Sequence, residues 1–352
     1  MSDDLNYIEA IGVALDQAAH TNDAALDEYQ VDLGTEYEEP KYILKLDNVG
    51  TFPRGDIQAI KAKSKNGKSF VCSILAASLF GCKDFGFESQ ETDPSILYFD
   101  TEQNKRNTAK LARRVHVLVG WDGKTNDVRF RAYSLRELDT DQRWPFILER
   151  VTARRPSMAI IDGIADLIDN FNDIDQSSTM IANLMRLSSS CDCCLTCVLH
   201  TNKAKDDSGM KGHLGTMLLQ KASDVLEVKK DSDGAAFHVT ETDCRNTPIN
   251  DFSFCINRDG IPVTTETLKA LKEQEKMNSD RETIGAVLDK VYRNEAELGY
   301  NEFINAYKLQ SGESEATAKR RLKRALDLGM IEPSINGKYQ RQGHRGQVTP
   351  IL

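Results

Sequence analysis

At 352 residues with 40% hydrophobic content, the chain is long enough for two domains, or one large domain with an appendage, and apolar enough for a proper core. Its opening, MSDDLNYIEA, lacks the basic start and apolar run of a signal peptide. No segment approaches the ~18 apolar residues of a membrane span, so a soluble, cytoplasmic protein with no membrane contact is expected. The net charge of −9 is segregated: residues 1–40 carry eleven acids and no lysine or arginine, and everything after them sums to about +2.

Residues 1–40 read as an acidic arm. Leu5, Ile8, Ile11 and Leu15 line one face of a short helix, which a monomer docks on its own core and a ring docks on a neighbour; the pattern does not choose. The rest of the arm, to Glu39, reads as a solvated linker. After Pro40 short apolar strands alternate with helices. Strands are expected at 57–61, 95–100, 128–133, 157–162, 194–199, 224–229, 236–242 and 252–256, and helices at 68–80, 104–119, 139–154, 176–190 and roughly 213–221. This alternation predicts an α/β fold whose mostly parallel sheet is covered on both faces and ends in antiparallel strands, with ligands beyond the carboxyl ends of the strands.

The turn between the first strand and first helix reads Ala62-Lys63-Ser64-Lys65-Asn66-Gly67-Lys68-Ser69, followed by Phe70. A triphosphate needs inward backbone N–H groups, a helix start, a lysine for the β and γ phosphates and a hydroxyl for magnesium, and Gly67, Lys68 and Ser69 stand where these belong. Ala62 replaces the usual first glycine, which is tolerable if its φ stays negative. ATP and Mg2+ are the expected ligands. Three later strand ends carry polar groups: Asp100-Thr101-Glu102-Gln103, then Asp162, then His200. Asp162 ends an apolar run and is placed to hold magnesium's water shell with Ser69. Gly163 follows it, so the free acid able to polarise an attacking water is Glu102. Cys194 and Cys197, in the cluster Cys191 to Cys197, fall on a strand whose alternate positions face opposite ways, so buried reduced thiols are expected.

Together, the phosphate loop, the glutamate after the second strand, the bare magnesium aspartate and the polar residue after the next strand resemble the RecA-like ATPase core. Within it they are similar to hexameric replicative helicases of the RepA and DnaB types, and to RadA-type repair ATPases. The resemblance spans residues 41–258, about three-fifths of the chain. It implies that His200 senses the γ-phosphate, that Gln220 lies near the nucleotide, and that the segment with Lys203, Lys205 and Lys211 includes a DNA-facing loop. It also implies that Arg245 reaches the ATP of the adjacent subunit in a homo-oligomer, by family precedent a hexamer. The family often has a basic residue two positions before that arginine. Here it is Asp243, leaving Lys229 or Lys230 as substitutes.

The ATPase region is expected to run from 41 to 264 and a second domain from 265 to 352. Residues 265–276 read as a charged connecting helix, followed by helices at 281–293, 300–309 and 314–328, a stop at Gly329 and a hairpin turn at Asn336-Gly337. Three helices and a hairpin make a small winged-helix domain. Thr317, Lys319, Arg320 and Lys323 form the outward face of its third helix, and Lys338 belongs to the hairpin. Lys319, Arg320, Arg321, Lys323, Arg324, Lys338, Arg341 and Arg345 form a basic block opposed locally by Asp327 and Glu332, which fits DNA. The expected function is an ATP-dependent DNA helicase of plasmid or mobile-element replication. The alternatives are a RadA-like recombination ATPase and an ATP-switched winged-helix regulator.

Overall fold

The computed structural model describes residues 30–201, 210, 212–232 and 234–342. The arm helix carrying Leu5 to Leu15, together with Lys203, Lys205, Lys211 and Arg345, lies outside the described residues. The chain divides into two units, Met1–Lys41 and Tyr42–Leu352. Within the first, Asp32 organises a turn by accepting the backbone N–H groups of Gly34 and Thr35. No helix among the described residues is long and apolar enough to cross a membrane.

Among the described residues, the second unit is built on a nine-stranded sheet. Six strands run parallel: β3 (Ile57–Ala62), β5 (Ile96–Asp100), β6 (Phe130–Ser134), β7 (Met158–Asp162), β8 (Cys194–His200) and β9 (Asp224–Lys230). Antiparallel strands β10 (Ala236–Cys244), β11 (Phe252–Ile256) and β12 (Pro262–Val263) complete the order β12-β11-β10-β9-β3-β8-β7-β5-β6. Helices α1 (Lys68–Leu79), α2 (Lys105–Val119), α3 (Thr140–Arg154), α4 (Ile174–Cys191) and α5 (Gly212–Lys221) connect the parallel strands. Each expected strand and helix of this region is present to within two residues.

Strand periodicity divides the core into two layers. On β7, Met158 and Ile160 join Val71, Ile74 and Leu75 of α1 on one face. Ala159 and Ile161 join Ile147 of α3 and Leu184 of α4 on the other. The same alternation puts Cys194 in the first layer and Cys197 in the second, both buried as free thiols.

A second, three-stranded sheet was not anticipated from the sequence: β1 (Tyr42–Leu46), β2 (Val49–Pro53) and β4 (Phe87–Ser89), in the order β2-β1-β4. Its hairpin turns on Asp47 (φ 50°) and Asn48 (φ 66°), the left-handed pair that a two-residue hairpin loop needs. Asp224 ties this sheet to the end of β9, accepting the Phe52 N–H at 3.1 Å and the Thr51 hydroxyl at 3.5 Å.

Beyond the sheet the expected connecting helix and its successor are one helix, α6 (Thr265–Val291). A break was expected between residues 276 and 281, where Asn278 and Asp280 stand. Continuity follows from their partners: Gln274 donates to Asn278, and Asp280 receives Arg321 at 3.1 Å and Arg324 at 2.9 Å. Those arginines belong to α8 (Glu315–Asp327), which follows α7 (Tyr300–Ser311). The three helices close on Ile284, Leu288, Phe303, Tyr307, Leu322 and Ala325. Strands β13 (Glu297–Leu298), β14 (Ile331–Pro333) and β15 (Tyr339–Arg341) form an antiparallel sheet in the order β13-β15-β14, with Gly337 at φ 70° in the turn before β15.

Burial pushes the Asp224 carboxyl up to about 6, and nearby Asp56 adds to the shift, while the Phe52 N–H and Thr51 hydroxyl oppose it. An unfolded aspartate titrates near ~3.9, so the folded chain takes up this proton first, and its contribution to stability rises as pH falls from above 6 towards 4. Asp224→Asn keeps an acceptor for Phe52 but removes the charge. Urea unfolding at pH 8 and pH 5 is expected to show the variant gaining on the parent as pH rises; a flat difference means that Asp224 titrates like an exposed acid.

Candidate active site

The phosphate loop leaves β3 at Ala62, whose backbone carbonyl accepts the N–H of Thr201 at 3.0 Å. Ala62 is not among the residues with positive φ, so the missing glycine costs nothing here; the left-handed positions are Lys65 (φ 62°) and Gly67 (φ 90°). At Gly67 the space is also closed, since a Cβ would stand 2.7 Å from Cδ1 of Phe237. Helix α1 starts at Lys68 with no side-chain cap and no acid in its first turn, which leaves its N–H groups and dipole for an anion.

A cavity of about 390 Å³ opens in front of this loop. Ser64 to Phe70, Glu102, Asp162 and His200 line it, brought together from the ends of β3, β5, β7 and β8. Two larger hollows, of about 530 and 780 Å³, lie away from these groups. The chemistry of the walls, not their size, selects the site.

Asp162 is the buried centre of the cluster. Its Oδ2 accepts the Ser69 hydroxyl at 2.9 Å and the Tyr98 hydroxyl at 2.6 Å. Burial raises its pKa, and those two hydrogen bonds work in the opposite direction. Burial likewise pushes the Tyr98 phenol well above its ordinary value, so it remains a donor. A hydroxyl and a carboxylate at hydrogen-bonding distance are a hard-oxygen pair, and they fit magnesium, which takes one or two protein ligands and completes its shell from phosphates and water.

Lys68 and Glu102 meet through His200. The Lys68 ammonium has only protons to give, so His200 Nδ1 accepts at 2.8 Å; Nε2 therefore carries the ring proton and donates to Glu102 at 3.3 Å. That hydrogen bond, more than any other cause, lowers the Glu102 pKa and holds the carboxylate ionised. Burial lowers the Lys68 pKa, with Asp162 and Glu102 opposing.

Sequence reasoning missed the groups that support this cluster. Asp100, wholly buried, accepts the N–H groups of Glu102 and Gln103 and the Thr108 hydroxyl, which fixes the loop that presents Glu102. Burial pushes its carboxyl up to about 6. Arg114 of α2 lies over the Phe70 ring at 3.8 Å and donates to Ser69 O and Ser73 Oγ, so a cation flanks the cavity beside the start of α1. Its spacing on an amphipathic helix gave no sign of this, because Arg113 and Lys110 look equivalent in sequence.

Two expected residues do not join the cavity. Gln220 is exposed in the last turn of α5, at the amino end of the neighbouring β9, and does not line this cavity. Arg245 follows Cys244, which pairs with Asp224 at that same amino end; it donates to the Lys221 carbonyl at 2.8 Å and is exposed. Asp243 faces buried Lys61 at 3.9 Å. Lys229 pairs with Glu227 and Lys230 lies over Phe237, both at the phosphate-loop end of β9.

Fold and site together define a phosphate-loop nucleotide-binding protein. Residues 25–206 match the AAA domain family, and the chain belongs to it. No curated protein matches the sequence. Among solved structures the chain is similar to one titled "ATPase Domain of G40P", with 14% identity and a TM-score of 0.46 over 60% of this chain and 85% of that one.

Tyr98→Phe is isosteric and deletes one of Asp162's two hydroxyl donors. It is expected to weaken nucleotide binding about tenfold when magnesium is present and to leave binding in EDTA unchanged, as titration with a fluorescent ATP analogue would show. Equal effects in both buffers would remove Asp162 from the metal site.

Proposed function

We propose that the chain is a magnesium-dependent ATPase that moves on DNA as a homo-oligomeric helicase, with its C-terminal helices and hairpin acting as a winged-helix DNA-binding domain. The convergence of Lys68, Ser69, Glu102, Asp162 and His200 on one cavity carries this reading. Lys68 and the N–H groups of the loop bind the phosphates, while Ser69 and Asp162 hold Mg2+, which supplies charge neutralisation at the terminal phosphate when bound. Glu102 orients and deprotonates the attacking water. His200, at the end of β8, touches both Lys68 and Glu102; Lys203 and Lys211, which follow it in sequence, are proposed to face DNA.

Arg245, at the amino end of β9, is proposed to act on the nucleotide of an adjacent subunit, where a guanidinium would stabilise transition-state charge. DNA contact by the C-terminal domain rests on a narrower face than the basic block implied. Arg321 and Arg324 are held by Asp280, and Arg341 by Asp289. Lys319 pairs with Glu315 at 2.8 Å, which leaves, among the described residues of the block, Arg320 and Lys323 of α8 and Lys338 of the hairpin as exposed cations, with Thr317 accepting from Arg320.

Glu102→Gln is expected to keep ATP binding and to lower DNA-stimulated turnover by at least about a hundredfold; an unchanged kcat removes Glu102 as the base. Unwinding of a forked duplex by the parent protein in the same buffer separates a helicase from an ATPase that only binds DNA. Arg245→Ala mixed with Lys68→Ala should regain turnover that neither has alone, because each supplies what the other lacks. If mixing restores nothing, a shared intersubunit site is wrong.

A further inference from the structure

The hollow of about 530 Å³ lies at the β6 end of the sheet. One wall is a single face of α2, where Thr108, Ala109, Ala112 and Arg113 recur at helical spacing. The other is β6, the last strand of the sheet, which among the described residues pairs only with β5. The loop 123–128 closes one end.

Register fixes which backbone groups of β6 are left over. Ile96 N–H donates to the Arg129 carbonyl, and Leu135 N–H donates to the Asp100 carbonyl. In a parallel ladder this alternation turns residues 131 and 133 towards β5 and turns the amides of Ala132 and Ser134 outward into the hollow. An uncovered edge with its N–H and C=O groups presented at strand spacing is a template for another extended chain.

The charge around the edge is one-sided. Lys105, Arg113, Lys124 and Arg131 line the hollow, and none is in an ion pair among the described residues. Asp127 is the one acid in the lining, and Arg129 already binds it through bonds of 3.0 and 2.8 Å. Ala109, Ala112 and Ala132 leave room for side chains on the incoming strand. A nucleic acid matches the charge but cannot return the alternating donors and acceptors of a strand edge; a polypeptide can.

We propose that this groove binds an extended acidic peptide segment of a partner protein, which adds as a strand to the free edge of β6 while its carboxylates meet Lys105, Arg113, Lys124 and Arg131. The proposal does not depend on the ATPase reading, because its readout is binding alone.

The probe is a fluorescein-labelled ten-residue peptide alternating glutamate and valine, titrated by anisotropy against the full-length protein. Binding that weakens as salt is raised is expected, and a lysine–valine peptide should not bind. Ala132→Pro removes one outward N–H while sparing the bonds to β5, and it should weaken binding about tenfold. Arg113→Glu with Lys124→Glu should do the same without touching the strand. Circular dichroism and fluorescent-ATP binding check that each variant is folded. Equal binding of the two peptides, or unchanged affinity in both variants, overturns the proposal. So does displacement of the glutamate peptide from the parent by a single-stranded oligonucleotide but not by unlabelled peptide.

Discussion

The grip of Asp162 on the hydroxyls of Ser69 and Tyr98 is the constraint from which the rest of the site follows. A carboxylate at the end of a fully buried strand has no water to solvate it, so it must be paired, and its two donors come from α1 and β5. That requirement sets where α1 begins relative to β7. It also places β5 beside β7, with Asp100 level with Asp162. Glu102 is two residues beyond Asp100, so the carboxylate that faces the cavity is positioned by the same pairing that satisfies the buried one.

The sheet turns these local needs into a polarised object. All six parallel strands end on one side, and the phosphate loop, Glu102, Asp162 and His200 are gathered there because their strands end there. Strand β10 runs the opposite way. It starts with Phe237 packed against Gly67 and finishes beside Asp224, so Arg245 is carried roughly 20 Å from the phosphate loop of its own chain. Asp224, whose carboxyl is raised to about 6, and Glu241, raised to about 7 chiefly by burial, belong to that far end. Any action of Arg245 on a nucleotide must therefore be on another copy's.

What the sequence made legible is what depends on short-range spacing. The strands 157–162 and 194–199 and the helices 68–80 and 104–119 stand nearly where period and turn chemistry put them, because each is apolar on the faces that the sheet buries. The loop from Ala62 to Ser69 was readable for the same reason. Pairs formed across long stretches of sequence were not readable. The Asp280 contacts with Arg321 and Arg324 span more than forty residues, and without them α6 looked like two helices and the basic block looked free. The β1–β2 hairpin left a visible signal in Asp47-Asn48, but its third strand, β4, is three residues long and lies beyond α1. Arg114 became distinguishable from Arg113 only once the helix was placed, one facing Phe70 and the other the groove at β6.

That division of α2 has a consequence for how the molecule can be used. The helix carries five cations and no acid, and its two sides serve different surfaces: Arg114 borders the nucleotide cavity, while Lys105 and Arg113 border the open strand edge. It is also the element that follows Glu102, capped at Asn104 by a hydrogen bond to the N–H of Asn107. A segment laid along β6 would press on α2 from one side and a nucleotide from the other. Asp100 holds the start of this helix through Thr108 and the Glu102 loop through backbone N–H groups, so α2 and Glu102 are linked by two hydrogen-bonded steps. Packed cores move between discrete arrangements instead of deforming smoothly. The edge groove and the cavity share α2 as a wall.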